Sequence, residues 1–550
     1  MIEILLGIII IFSAIAKASL DLWALSFVYI ISLIMLIDLV VKFNRGTYSF
    51  NRTSLDIPIL IFLFFAVISV FFSVNKYLSN AEFYNIIIYI LLYYVVITYA
   101  VTIKKRLLLI NFIILAGFIV SLPAIYQNAV GIKNIYSTLV NPNILAGYMV
   151  PAIILSISLI IESINGISRG KNKSRLLWAS ICVLLMLTTL MLTRSVGGVL
   201  SLYVGLLTML LIYLKYRRPE KWASKLLNAA ALVVVVLGFI LILYKSRDPE
   251  VSNRFFWWLG ALKIIIEKPF TGVGIGCFGD IYLKYKAGGL NSLYAHNHFL
   301  QMAAEIGIMG MGAFLLIIVA AFKSSLRWLK EESMFFEKMG LISAMVAVLS
   351  FNLVDYSLSI PANAFIFWII MGLMVRPAPF SVKINGNRMR LMANFIFVVF
   401  VLVAGGLVAR NFLASQKLSQ GLILLREGEQ VKSKKLLQSS MSLNESNPEV
   451  YMALSDVFVS QGEIEAAIEQ LRKGTSLVPH NAFFHYRLGL LYQRKGLHRE
   501  AVSELKKASS LHYNNILYHV TLSNAYKRLG DINSSRAQDR IVESLQRVSK

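Results

Sequence analysis

Two arginines and two histidines carry the chemistry that this sequence suggests. Arg194 interrupts an apolar stretch in Leu192-Thr193-Arg194-Ser195-Val196-Gly197-Gly198, and Arg254 opens Asn253-Arg254-Phe255-Phe256-Trp257-Trp258. His296 and His298 lie in Tyr294-Ala295-His296-Asn297-His298-Phe299-Leu300-Gln301. A guanidinium fork matches phosphate oxygens bidentately. An imidazole exchanges a proton near neutral pH and suits general-base work. Two arginines and a histidine on one membrane face could therefore hold a diphosphate and deprotonate an attacking hydroxyl. A polyprenyl diphosphate-linked sugar is a substrate that lives at such a face. Plainer roles stay open at this point: Arg194 as a headgroup anchor, and His296 as an interfacial cap on the next helix. A metal site is disfavoured, because no Cys or carboxylate cluster accompanies the two histidines.

The elements that must position these residues are membrane helices. Of 550 residues, 57% are apolar and only 15% charged, and the mean hydropathy is +0.67. Soluble domains run at roughly 45–50% apolar and about 25% charged. Disorder and a disulfide scaffold are excluded by the same composition, which includes two cysteines, Cys182 and Cys277. A span needs about 20 mostly apolar residues. Candidate spans fall near 2–16, 22–41, 55–73, 83–102, 107–126, 143–161, 176–193, 196–214, 226–244, 298–322, 339–355, 361–375 and 391–409, about 12–13 in all.

Basic residues crowd alternate loops: Lys42, Arg45 and Arg52; Lys104, Lys105 and Arg106; then clusters around 169–175, 215–225, 323–338 and 376–390. The short loops between hold only Lys17, Lys76, Lys133 and Arg194. The positive-inside rule puts the basic set in the cytoplasm. The N-terminus is then cytoplasmic. The long loop 245–297 and everything after Arg410 lie on the outer face, periplasmic or extracellular, and the chain is a multi-pass membrane protein. The polar residues that stand out gather at that outer boundary. A transporter would instead show ionisable groups at mid-span.

The outer loop has structure of its own. Residues 254–267 read as an amphipathic interfacial helix ending at Lys268-Pro269. The Gly-rich stretch Gly272-Val273-Gly274-Ile275-Gly276 follows no strand and precedes no Gly-Lys-Ser/Thr, so it reads as a backbone bend and not a nucleotide cradle.

Beyond residue 410 the composition turns polar and a 34-residue period appears. Gly428, Gly462, Gly496 and Gly530 follow it, as do Ser433, Ala467, Ala501 and Ser535. This is the tetratricopeptide (TPR) pattern of stacked helix pairs. The expected domains are therefore 1–410, a polytopic membrane unit, and 411–550, an α-helical TPR solenoid. Stacked repeats offer a surface for a protein partner. The tail's mild positive charge gives no case for nucleic acid.

The segment from about 140 to 375 resembles the O-antigen ligase/O-antigen polymerase superfamily of membrane glycosyltransferases. The resemblance rests on Asn141-Pro142-Asn143-Ile144-Leu145-Ala146-Gly147-Tyr148, Thr193-Arg194-Ser195-Val196-Gly197-Gly198, Asn253-Arg254 with Trp258, the 268–276 turn, and Ala295-His296-Asn297-His298-Phe299-Leu300-Gln301 with Glu305-Ile306-Gly307. It implies an all-α fold of the glycosyltransferase C type, an undecaprenyl-diphosphate-linked glycan as donor, and a lipid or protein acceptor. It implies no metal and no cofactor. By position, Arg194 and Arg254 would hold the diphosphate and His296 would be the catalytic base. Asn143, Asn297, His298 and Gln301 would line the site. A ligase is the first expectation, a polymerase using the same donor the second, and an exporter of lipid-linked glycan or an assembly scaffold the third.

Overall fold

The long apolar runs fold as helices, because in lipid every backbone polar group must be satisfied within the segment. The computed structural model describes residues 2–44, 50–167, 173–217, 249–286, 288–331, 334–380 and 387–548. The membrane unit comprises α1 (Ile2–Ile15), α2 (Leu22–Asn44), α3 (Asp56–Phe71), α4 (Lys76–Tyr99), α5 (Ile103–Ala129), α6 (Pro142–Ile167), α7 (Lys173–Leu192) and α8 (Val196–Arg217). It continues with α9 (Pro249–Glu267), α10 (Phe278–Tyr285), α11 (His298–Leu329), α12 (Phe335–Phe351), α13 (Pro361–Met374) and the first part of α14 (Asn387–Arg426). Among the described residues the fold is all-α apart from one short antiparallel pair, 50–52 with 378–380.

Eight of the described helices are long and apolar enough to cross a membrane, and α1, α3 and α13 are shorter apolar helices. The span count expected from sequence is therefore only partly matched. The expected span at 226–244 lies outside the described residues. The run 361–375 forms a 14-residue helix, α13, whose residues are all buried. At 1.5 Å per residue it is about 21 Å long. It is a central pillar packed against α4 and α12, not a lipid-facing crossing.

Ion pairs tie helix ends that belong to the same basic set of loops. Lys105 Nζ meets Glu3 at 2.9 Å, and Arg175 meets Glu162 at 3.4 Å. Arg106 and Glu337 form a buried pair at 2.6 Å, with the guanidinium also donating to the Leu373 carbonyl. The opposite end of the bundle carries Arg194, Arg254 and His296.

There α11 breaks. Gly307 has φ 82° and ψ 167°, a conformation essentially reserved for glycine. The 269–274 turn fills the break. Ile308 N–H donates to the Pro269 carbonyl at 2.8 Å, Val273 N–H to Ala304 at 3.0 Å, and Gly274 N–H to Glu305 at 3.1 Å. The Gly-rich stretch is thus a bend, and its job is to satisfy the backbone that the kink exposes.

The helix α14 runs unbroken for 40 residues, from the last span into the first repeat. No linker separates the units: residue 410 marks a change of surroundings along one helix. From Asn411 onward α14 packs on α15 (Gln430–Leu443), and three further pairs follow: α16 (Pro448–Ser460) with α17 (Ile464–Leu477), α18 (Ala482–Lys495) with α19 (His498–Leu511), and α20 (Ile516–Leu529) with α21 (Ile532–Val548). The four period-34 glycines have φ of 83°, 79°, 80° and 82°, the left-handed residue that ends each first helix. Asn447, Asn481 and Asn515 share the period and cap α16, α18 and α20 with their side chains. Ser433, Ala467, Ala501 and Ser535 are buried at the helix crossings.

The solenoid rests on the segment of the membrane unit around α10. Its helix α19 packs on α10, and Asn514 Nδ2 donates to the Lys286 carbonyl at 3.4 Å.

Candidate functional site

Helix α9 holds the loop that ends in His296. Asn253 and Trp257 lie one turn apart and grip the same residue: Leu290 N–H donates to Asn253 Oδ1 at 2.7 Å, and Trp257 Nε1 donates to the Leu290 carbonyl at 2.9 Å. Trp258 Nε1 reaches the His296 carbonyl at 3.4 Å. The buried Trp257 ring stacks on the His296 imidazole, centroids 4.2 Å apart and planes 22° from parallel. Arg254 sits in the same turn, close enough for its charge to act on His296.

Tyr356 closes the other side. Its ring is edge-on to His296 at 4.7 Å and stacked on Tyr294 at 4.0 Å. Asn141 Nδ2 donates to the Tyr356 hydroxyl at 2.9 Å. Two residues further along, Asn143 Oδ1 accepts from Ser195 Oγ at 2.7 Å. Arg194 precedes Ser195 in the tight α7–α8 turn, where Thr193 Oγ1 bonds the Leu190 carbonyl at 2.6 Å and Ser195 Oγ accepts from Gly198 N–H at 3.3 Å. The residues 141–143 thereby link the Arg194 turn to the aromatic ring set around His296. Arg254 is half-buried and Arg194 exposed.

Both Arg194 and His296 have left-handed backbone, φ 54° and 50°. They are two of seven non-glycine residues with positive φ among the described residues. Such conformations cost of order 1–3 kcal/mol for a non-glycine residue and persist where the surroundings over-determine them. Here Trp257, Trp258 and Tyr356 fix the one, and Thr193, Ser195 and Asn143 fix the other.

Burial, and secondarily the Arg254 cation, hold the His296 imidazole down to about 3. It is neutral at physiological pH, and its Nδ1 makes no hydrogen bond within the protein. A neutral imidazole with an unused ring nitrogen can accept a proton. An anion arriving at Arg254 would offset the cation and strengthen it as a base.

The other expected residues take different places. Asn297 is the N-cap of α11, its Oδ1 accepting from Phe299 and Leu300 N–H at 3.1 and 3.0 Å. His298 turns away from His296: its Nδ1 lies 3.2 Å from Ser359 Oγ, and its N–H is shared between the Asn352 and Asp355 carbonyls. Gln301 is buried, donates to Glu305 Oε1 at 3.2 Å and accepts from Ala295 N–H at 3.2 Å. His298 and Gln301 line a cavity of about 290 Å³ beside the His296 cluster. Among the described residues no group of three or more His, Cys, Asp or Glu is arranged to hold a metal ion. Both cysteines are free and buried, and burial pushes the Cys277 thiol up to about 12.

Part of this arrangement falls within a stretch that matches a known family. Residues 181–315 match the profile of the O-antigen ligase family. The chain carries an O-antigen ligase domain. That domain contains Arg194, Arg254, His296, His298 and Gln301, while Asn143 and Tyr356 lie outside the matched stretch. Residues 455–496 and 484–515 match TPR profiles. No curated protein matches the chain. Among solved structures, a crystal structure of MamA is 20% identical and covers 31% of this chain and 98% of its own, with a TM-score of 0.24. A MamA fragment from Desulfovibrio magneticus RS-1 is 18% identical over 30% of this chain and 97% of that chain, also at 0.24. The O-antigen ligase match points to glycosyltransferase-type activity on lipid-linked glycans, the TPR repeats to protein interaction, and the apolar helices to a multi-pass membrane protein.

Proposed function

We propose that the protein is a glycan ligase of the bacterial cytoplasmic membrane. It moves a glycan from undecaprenyl diphosphate to a hydroxyl on a lipid or protein acceptor at the outer face. The acceptor oxygen attacks the anomeric carbon of the donor's first sugar. The bond from that carbon to the phosphate oxygen breaks, and the electron pair leaves with undecaprenyl diphosphate. The hydroxyl proton passes to the neutral imidazole of His296. Arg254 and Arg194 bind the diphosphate and stabilise the charge that grows on it. The observation that carries this reading is the shared turn of α9. It sets Arg254 beside a stacked, neutral His296 whose ring nitrogen is unused.

The placement follows the charge pattern: the site and the TPR solenoid share the end of the bundle opposite the basic loops. Cells lacking the gene provide the test. Long, finished glycans left on undecaprenyl diphosphate support ligation. Single repeat units left on the lipid assign the missing step to polymerisation, with the same residues. Normal lipid-linked glycans with export blocked would refute transfer.

A further inference from the structure

The TPR solenoid stands upright on the membrane unit. Its first helix is the second part of α14, which continues without a break from the last span. In stacked helix pairs every first helix points the same way, so α16, α18 and α20 also run away from the membrane. The contacts agree, because the start of each of these helices faces the membrane unit. Glu449 lies within the field of Tyr77 at the start of α4, and His480 within that of Lys268 and Lys284. Asn514, just before α20, bonds the Lys286 carbonyl at 3.4 Å. Gly462, Gly496 and Gly530 end the same helices on the side away from the membrane.

Among the described residues, each of these helices keeps one face open. On α18 the open positions recur as Phe483, Leu490 and Arg494, and on α20 as Leu517, Asn524 and Arg528, spacings that fall on one side of a helix. The faces join into one surface: Arg487 of α18 pairs with Asp456 of α16, and Tyr486 stacks on Tyr518 of α20 with centroids 4.8 Å apart. The surface changes character along its length. Next to the membrane unit it is apolar, with Phe483 44% exposed, Leu517 54% and Val520 38%. Three turns on, about 16 Å further from the membrane, it is basic. There Lys495 and Lys527 are paired with Glu465 and Asp539. Arg494 and Arg528 are exposed and have no carboxylate partner among the described residues.

Two exposed guanidinium groups one repeat apart match carboxylates. A lipid surface would meet the apolar end instead. The arginines stand about 16 Å beyond it, twice the Debye length of about 8 Å at physiological salt, too far out to hold lipid headgroups. We propose that this face docks an extended segment of a second protein anchored in the same membrane. Apolar side chains close to that protein's own span lie against Phe483, Leu517 and Val520. Asp or Glu residues further out pair with Arg494 and Arg528. An extended chain covers about 16 Å in about five residues, so one short segment reaches both ends. The upright stance of the solenoid ties the order of the partner's residues to the membrane. This docking serves a ligase or a polymerase alike and does not depend on the transfer reading.

The test uses the full-length protein in nanodiscs of neutral lipid, with the fluorescent peptide Leu-Phe-Leu-Gly-Ser-Asp-Glu as the probe. The expected result is saturable binding that weakens about tenfold in the double variant Arg494→Ala with Arg528→Ala, which loses two exposed ion pairs. Leu517→Ser weakens it through the apolar end. These side chains are exposed, so the variants should melt like the wild type. A palmitoyl anchor on the apolar end of an unlabelled copy should make it a stronger competitor, because anchoring raises its effective concentration. The same anchor on the acidic end should bring no such gain. Equal gain from both anchors, equal binding of a peptide with Lys in place of its two acids, unchanged affinity in the double variant, or no saturable binding overturns the proposal. Displacement of the probe by phosphatidylglycerol in the nanodiscs would give the face to lipid and overturn it too. So would concentration-dependent pairing of the full-length protein that the double variant loses, which would give the face to a second copy of this chain.

Discussion

Trp257 and His296 lie face to face, ring centroids 4.2 Å apart, and the tryptophan also holds the loop that delivers the histidine. This makes Trp257 a positioning residue for a proposed base. General-base groups typically contribute 10²–10⁴-fold, so His296→Ala should lower transfer by about that factor without loss of folded protein. Trp257→Phe keeps a stacking ring but loses the bond to Leu290. Trp257→Leu loses both. Turnover should fall in the order wild type, Trp257→Phe, Trp257→Leu, with donor KM nearly constant. Steady-state kinetics on purified variants checks this. A change confined to KM would show that Trp257 serves binding and not the base.

The pH profile is a second check. Burial and the Arg254 cation hold His296 at about 3, far below the ordinary value. In the free enzyme the imidazole stays neutral down to strongly acidic pH. The acid limb of kcat/KM should therefore lie well below 6.5. In Arg254→Gln the cation is gone, and the limb should move to higher pH. Donor diphosphate offsets the same cation, so the limb of kcat should lie above that of kcat/KM. The stability sign is fixed too. Below about 6.5 the unfolded chain protonates this histidine while the folded one does not until about 3, so His296 destabilises the fold as pH falls through that window. An acid limb at 6.5, unmoved in Arg254→Gln, would remove His296 as the titrating base.

The arginines make a third test, because an ammonium cannot reproduce a planar fork. Arg254→Lys should cost about 2 kcal/mol of transition-state stabilisation, roughly 30-fold in kcat/KM, if a charge-assisted bidentate contact is lost. Arg194→Lys, at an exposed turn, should cost less. Donor titration against both variants measures this. Equal, wild-type donor affinity and turnover in both would place the diphosphate elsewhere.

Residue type and order made part of this site legible. Arg194, Arg254 and His296 are polar groups at apolar boundaries, and such placements are conspicuous in a chain with 15% charged residues. The partners that hold them were not legible. Asn141 and Tyr356 are 215 residues apart, and no local pattern announces their bond. Only the resemblance, and no property of the residues themselves, favoured His296 over His298: two residues apart, one packs between Trp257 and Tyr356 while the other faces Ser359. In the tail the 34-residue glycine period was visible because left-handed helix ends demand glycine. The asparagine caps obey the same period but are ordinary in composition. Hydropathy left the surroundings of α13 open, since an apolar run of 15 reads the same whether protein or lipid surrounds it.

The kink at Gly307 supports the α9–α10 segment of the candidate site, and it can be tested against a control in the same helix. Gly307 sits at φ 82°, ψ 167°, and a Cβ there would lie 2.3 Å from the Phe270 carbonyl oxygen. That oxygen belongs to backbone, so no rotamer change relieves the clash. The kink also frees the Ala304 and Glu305 carbonyls for Val273 and Gly274, and Glu305 in turn holds Phe278 at the start of α10. Gly307→Ala should therefore cost more than the roughly 1–3 kcal/mol of backbone strain alone. In Gly312→Ala, the added Cβ meets nothing within 4 Å. That change should be neutral or stabilise the helix by about 0.5–1 kcal/mol. Thermal melting of both variants in detergent, alongside the yield of monodisperse protein, reads the contrast. A large loss for Gly307→Ala with none for Gly312→Ala fixes the cause as the break and not helix propensity. Equal stability of the two would mean that α11 can straighten, and that the Gly-rich turn does not depend on the kink for its place.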